Sequence, residues 1–356
     1  MPENKRFQTE LSAFQARFEA QKIAFGPVVF QCVRIAWKKG LLVSLAQKPM
    51  SSAELMDEHQ ISSYVLDVLL ESCLSAGVVS IENSLWVLEK TGYMLVNDKL
   101  TQVNFNYIHD VCWQGLFELE ACLDAEKPLG LKHLGPWATI YEGLSDLPEP
   151  AKTSWFEFDH FYSDSAFPEA LPKVFASKPK RLMDVGANTG KWAMLCLNYD
   201  PQVEMTLVDL PIQLNVAQQN LSGAGLIGRV SLAPRDLLDP ALSFPKGHDA
   251  IWMSQFLSCF SLVEIGKILA RAAESLDNGG SLFILDTCWD RQQFDIAAYC
   301  LINTSPYFTA MASGNSKIYR ADEYIACAEQ AGLQVTQIWD GLGISHSLLQ
   351  FQKIAK

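Results

Sequence analysis

From residue 178 onward, short apolar runs alternate with stretches whose apolar residues recur at helical spacing. The runs predict strands at 181–185, 205–209, 230–234, 250–255, 281–286, 334–339 and 346–350. Helices separate most of them, so the expected fold is α/β: a doubly wound, mostly parallel, seven-stranded sheet of Rossmann-like form. Such sheets bind ligands beyond the carboxyl ends of their strands, near the point where strand order reverses, which is where 184–190 would lie.

The preceding part of the chain has a different pattern. Helical periodicity predicts an apolar helix at 25–37 and shorter helices at 41–46, 52–58 and 63–76, the second of these opened by Ser51 or Ser52 as cap. Past Gly77, runs at 78–81 and 85–88 flank a turn at 82–84 and read as a two-stranded hairpin. Three helices and a hairpin make a winged-helix domain, expected over 1–105, with 106–356 forming a second domain. The second domain divides into a helical, aromatic lead-in at 106–177 and the alternating core at 178–356.

Charge narrows the partners. The net charge of −12 disfavours nucleic acid, and the helix predicted at 63–76, where a winged helix would read DNA, carries Asp67 and Glu71 with no Lys or Arg. Its apolar face, with that of 25–37, points instead to a homodimer formed through the N-terminal domain. No apolar run reaches membrane-spanning length, since Arg34, Lys38 and Lys39 interrupt the best candidate. Nine cysteines at irregular spacing, without a CxxC pair, fit reduced thiols in a cytoplasmic protein and offer no metal site.

The chemistry concentrates in RLMDVGANTGKWAMLCL, residues 181–197. A strand ending in Asp184 runs into a turn bracketed by Gly186 and Gly190, and a helix starts at Lys191. Glycines there allow a sharp turn and close approach of a ligand to the helix N–H groups. Asp184, Asp209 and Asp236 fall at the ends of successive strands, and an acid after the second strand can accept both ribose hydroxyls of an adenosyl group. The spacing is G-x-x-x-G, not the G-x-G-x-x-G that cradles a pyrophosphate. An adenosyl ligand without a diphosphate fits best, and S-adenosylmethionine is such a ligand.

DVGANTG, then LVDLP at 207–211, RDLLD at 235–239 and IWMSQFLSCFSLVEIGKIL at 251–269 resemble S-adenosylmethionine-dependent small-molecule O-methyltransferases of the caffeate and hydroxyindole type. The resemblance covers nearly the whole chain, because that family also carries an N-terminal winged-helix dimerisation domain. It implies that Asp209 binds the ribose hydroxyls, with Leu210 against the adenine. Asp236 and Leu237 would frame the adenine, and Gly186 and Gly190 would lie against the methionine part. Asp184, Asn188, Arg235, Ser254 and Gln255 complete the expected cofactor surface. Phe158, Tyr162, Ser258 and Asn303 are expected to line the acceptor.

The chain departs from the family at the catalytic base. Ser258 stands where the family histidine is expected, Cys259 replaces its aspartate, Phe260 its tryptophan, and Ser254 an earlier lysine. Asp286 matches one carboxylate that orients the histidine, while the other is replaced within GNSK at 314–317. Methyl transfer needs in-line positioning, and a base only to deprotonate the acceptor. His160, His109 and His346 are the candidate bases, with His160 first because its aromatic segment precedes the catalytic sheet; Asp286 joins His160 and His346 as a catalytic candidate. Cys259 reads as buried and inert.

The expected activity is methyl transfer from S-adenosylmethionine to a small aromatic or phenolic acceptor. Oxygen is the default target, and nitrogen or a ring carbon stays open because of Ser258. An alternative is a winged-helix regulator or scaffold that binds the ligand without turnover. A nicotinamide dehydrogenase is disfavoured by the glycine spacing.

Overall fold

The computed structural model describes residues 6–7, 10–163, 165–239 and 241–354. The chain divides into two compact units, with the division between His109 and Asp110.

The first unit opens on α1 (Ala13–Lys38), which starts well ahead of the expected residue 25. Its start is fixed by a capping box: the Ser12 hydroxyl accepts from the Gln15 N–H, and the Gln15 side chain accepts from the Ser12 N–H. There follow α2 (Leu41–Gln47), α3 (Ser52–His59), α4 (Ser63–Ser75), the antiparallel pair β1 (Val79–Glu82) and β2 (Leu85–Leu88), α5 (Lys90–Asn97) and α6 (Lys99–Tyr107). Along α4, Leu66, Leu69, Leu70 and Cys73 recur at helical spacing and are buried against Leu41, Leu42 and Leu55. The first half of α1 buries little: Phe14 is 80% exposed and Ile23 81%.

The second unit begins with α7 (Leu119–Ala125), α8 (Ala151–Ser163) and α9 (Phe167–Val174). The core then alternates: β3 (Arg181–Val185), α10 (Lys191–Tyr199), β4 (Glu204–Asp209), α11 (Pro211–Gly223), β5 (Val230–Pro234), β6 (His248–Ser254), α12 (Leu262–Ser275) and β7 (Leu276–Asp286). It closes with α13 (Asp295–Tyr307), α14 (Ala321–Gln330), β8 (Leu333–Leu342) and β9 (His346–Lys353). The seven strands form one sheet in the order β5-β4-β3-β6-β7-β9-β8. All pairs are parallel except β7–β9 and β8–β9, which bears out the expected mostly parallel, doubly wound fold.

Side-chain alternation along the strands splits the core into two layers. Met183, Val185, Ile251 and Met253 pack toward Ile265 and Leu269 of α12 and Tyr324 of α14. Leu182, Leu207 and Trp252 pack toward Phe167 of α9, Ala193 of α10 and Leu214 of α11. From β3 the chain moves outward through β4 to β5, then crosses to β6 on the other side. The order therefore reverses beside β3, and the crevice at its carboxyl end is where such sheets bind ligands.

Two of the boundaries that differ from expectation do so for plain local reasons. Gln255 was expected to end its strand, but its backbone is left-handed (φ 46°), so β6 stops at Ser254. β7 begins at Leu276, before the expected 281, because Leu276 pairs with His248 across an irregularity in the ladder. Among the described residues no helix is long and apolar enough to cross a membrane, and no three His, Cys, Asp or Glu side chains are grouped to hold a metal ion.

Candidate cofactor and acceptor site

The turn after β3 holds three left-handed residues: Gly186 (φ 78°), Asn188 (φ 48°) and Gly190 (φ 79°). Gly186 is required twice over, by its φ and because a Cβ there would overlap the Phe256 ring. Asn tolerates the left-handed region better than most residues. Its N–H donates to Asp209 Oδ2 at 2.8 Å, while the Leu210 N–H donates to Asp209 Oδ1 at 2.7 Å. The carboxylate at the end of β4 thus sits in the crook of the β3 turn. Pro211 then starts α11 at the position where a missing N–H costs least.

Beneath this turn Asp184 is buried, with Trp252 as its register partner on β6, and Trp192 of α10 stacks on Trp252 at 3.9 Å. Burial in these surroundings, with the nearby Asp209 charge adding to it, pushes the Asp184 carboxyl up to about 8. Burial also raises Asp209, against the pull of its two backbone N–H donors. Asp184 Oδ2, Ser254 Oγ and Gln255 Nε2 are buried and make no hydrogen bond to a described residue. Buried polar atoms without partners are rare, and three of them beside one crevice mark a place for a polar ligand. Asp236 Oδ1 accepts from the Leu238 N–H at 2.9 Å in the next loop, and Leu237 is buried there.

On the acceptor side, Ser258 lies buried in a short turn, Leu257–Cys259. The nearby Asp286 carboxylate accepts from the Thr287 N–H and from the Tyr324 hydroxyl, each at 2.8 Å. Burial outweighs these donors and pushes Asp286 up to about 6. His160, on the last turn of α8, is brought to the first residue of α10: Lys191 Nζ lies 3.1 Å from its Nδ1. An ammonium can only donate, so Nδ1 accepts and a neutral His160 carries its proton on Nε2. Phe158 and Tyr162 lie one helical turn apart on α8, their rings 4.8 Å apart.

Several expected positions are not brought here. His346 is wholly buried on β9; its neighbour Ser347 is the register partner of Asp286, so His346 points to the opposite sheet face. Burial lowers it to about 4, and neither ring nitrogen bonds a described residue. That placement removes it from the candidate bases. Asn303 is exposed on α13 and bonds the Tyr299 carbonyl of its own helix at 2.8 Å, so it does not line an acceptor pocket. Arg235 turns its guanidinium to the Pro234 carbonyl (2.8 Å) and the Ser243 carbonyl (3.4 Å), away from a cofactor role. His109 ends the first unit, where its ring lies against Phe30. Tyr324 and Phe256, in contrast, were not anticipated. Aromatic residues on a helix or in a turn carry no sequence signal that separates site from core.

Comparison with known proteins matches this geometry. Residues 17–86 match a Dimerisation2-like domain and residues 168–334 an O-methyltransferase domain. The chain is 21% identical to the L-tyrosine C(3)-methyltransferase of Streptomyces lavendulae, over 87% of this chain and 85% of that protein. It is 32% identical to the 3-hydroxy-5-methyl-1-naphthoate 3-O-methyltransferase of Streptomyces sahachiroi, over a third of each. The fold matches the S-adenosylmethionine-dependent methyltransferase SibL with a TM-score of 0.69 and 22% identity, covering 94% of this chain and 98% of that one. Residues 168–334 are thus an O-methyltransferase domain that follows a Dimerisation2-like domain in the chain, and the relatives that match are small-molecule O- and C-methyltransferases dependent on S-adenosylmethionine.

Proposed function

We propose that this protein transfers the methyl group of S-adenosylmethionine to a small phenolic acceptor, with the cofactor held around the β3 turn. The observation that carries the reading is the Asp209 carboxylate, fixed by two backbone N–H groups beside a glycine that cannot carry a Cβ. Asp209 would take the ribose hydroxyls, with Leu210, Asp236 and Leu237 around the adenine. Asp184, Asn188, Ser254 and Gln255, along Gly186 and Gly190, would face the methionine part. When bound, the cofactor supplies a methyl group on a sulfonium leaving group. The chain then has to orient an acceptor and manage its proton. Asp286, buried and raised toward neutrality, is the carboxyl best suited to hold that proton.

Oxygen is the acceptor atom usual for the family. A ring carbon is the second reading, favoured because a tyrosine C-methyltransferase matches along most of both chains and because Ser258 replaces the usual base. Incubation with methyl-labelled cofactor and a panel of phenols, catechols and hydroxybenzoates, with L-tyrosine included, separates them. Product NMR would show a methoxy group or an aryl methyl group, and a panel without any labelled product would sink the reading.

Cofactor binding is expected to release a proton. Asp184 is neutral at pH 7 in the ligand-free chain, and a cationic ligand favours its ionised form. Affinity should rise roughly tenfold per pH unit until about pH 8 and then level. The same group fixes the stability sign: between its ordinary value of 3.8 and about 8 the folded chain keeps a proton that the unfolded chain has lost, so the ligand-free protein loses stability as pH rises through that window. Titration calorimetry in two buffers of different ionisation enthalpy measures the proton; identical heats would refute its release.

We further propose a homodimer formed through the N-terminal winged-helix unit. Support comes from the exposed Phe14, Phe18, Ile23 and Phe25 of α1 and from the Dimerisation2-like match. Sedimentation should give twice the chain mass, and a monomer for Phe18→Asp with Phe25→Asp; a wild-type monomer would exclude it. Nine free thiols support a cytoplasmic setting, and the net charge of −12 argues against nucleic acid as partner.

A further inference from the structure

We propose that Tyr324 is a positioning residue for deprotonation of the acceptor, acting through the Asp286 carboxylate that its hydroxyl holds. The inference rests on the reading of Asp286 given above, and no motif of the sequence points to Tyr324. Asp286 ends β7 at the same edge of the sheet as the β3 turn. Leu285 before it pairs with Ser254 of β6, and the Gln255 N–H donates to the Leu285 carbonyl at 2.9 Å. Tyr324 reaches that edge from the first turn of α14; it is buried, and its hydroxyl donates to Asp286 Oδ2 at 2.8 Å. The start of α14 is tied to the same segment, since the Ala321 N–H donates to Asp290 Oδ1 at 3.0 Å. Tyr319 packs edge-on against Tyr324, ring centroids 5.6 Å apart, and its hydroxyl donates to the Phe260 carbonyl at 2.7 Å. The Phe260 ring lies 4.9 Å from that of Phe256, which fills the space a Cβ of Gly186 would take. The tyrosine pair thus joins the carboxylate to the loop that packs on the β3 turn.

For an oxygen acceptor, the phenol's O–H bond breaks as its proton passes to Asp286. The oxygen takes the methyl group, and the electron pair of the broken carbon–sulfur bond stays on sulfur. Only the ionised carboxylate can take that proton, and burial favours the protonated form. A hydroxyl that donates to the charged form opposes burial, so Tyr324 sets the pH at which Asp286 becomes competent. Asp286 Oδ1 is meanwhile fixed by the Thr287 N–H at 2.8 Å, so the two donors together hold the plane of the carboxyl. The other titratable groups that feel the Asp286 charge are Cys259 in the turn after β6, Cys288 two residues on, and Tyr319. Burial keeps all three protonated through neutral pH, with Cys259 pushed up to about 12.

The test reads Asp286 directly, in the full chain loaded with S-adenosylhomocysteine. Its protonated carboxyl gives an infrared band, assigned by its loss in Asp286→Asn. Wild type should titrate with a midpoint of about 6. In Tyr324→Phe the midpoint should rise by about one to two pH units, the effect of one donor on a charged group. Replacing Tyr324 by 3-fluorotyrosine, a stronger donor of nearly the same shape, should move the midpoint the other way. At saturating S-adenosylmethionine, the acid limb of kcat/KM for the fastest phenol of the panel should shift with the midpoint. A residue that only packs would lower the rate alike at every pH. An unmoved midpoint in either variant, or a moved midpoint with an unmoved limb, would overturn the proposal. Shifted midpoints with no phenol methylated would instead refute the methyl-transfer reading and leave the Tyr324–Asp286 coupling standing.

Discussion

Replacing Asp209 by Asn is expected to weaken S-adenosylmethionine binding by about 100-fold or more. The carboxylate accepts from the N–H groups of Asn188 and Leu210 and still has lone pairs for two ribose hydroxyls. An amide offers one acceptor oxygen and turns two donors toward donors. Loss of charge-assisted hydrogen bonds worth about 1.5–3 kcal/mol each gives that factor or more. Destabilisation should follow too, since the β3 turn loses the anchor that joins it to β4. Calorimetric titration measures the affinity; a variant that binds like wild type would show that the ligand lies elsewhere.

Gly186→Ala is expected to cost about 3 kcal/mol of stability and to abolish measurable cofactor binding. Part of the cost is the left-handed backbone at φ 78°, about 1–2 kcal/mol for a residue with a Cβ. The rest is overlap with the Phe256 ring, an overpacking term of about 1–3 kcal/mol. The two parts can be separated. Adding Phe256→Ala removes the overlap and leaves the φ, so the double variant should recover stability only in part. Denaturant unfolding of Gly186→Ala, Phe256→Ala and the double variant decides it, and an unchanged midpoint for Gly186→Ala would contradict the geometry.

What could be read from sequence follows the physics of each signal. Alternating strands and helices record burial on two faces, and each of the seven strands overlaps the apolar run that predicted it. The turn was legible because left-handed backbone leaves glycine at Gly186 and Gly190, and Pro211 marks the helix that follows Asp209. Gln255 was misread as strand because its left-handed φ has no glycine to announce it. Individual side-chain placements were harder. His346, Asn303 and Arg235 have suitable chemistry, but their placement is set by strand facing, helix phase and loop carbonyls, which composition does not encode. Tyr324 reaches Asp286 across 38 residues. Long-range packing of this kind leaves no mark on spacing.

The most direct measurement is a single turnover. Protein loaded with one equivalent of methyl-labelled S-adenosylmethionine is mixed with each phenol of the panel and quenched. The expected result is label on the phenol's oxygen or ring carbon with an equal amount of S-adenosylhomocysteine, and none of either with Asp209→Asn at the same concentrations. Label remaining on the tightly bound cofactor with every phenol would contradict it, and would make this protein a binder of the methyl donor with no transfer.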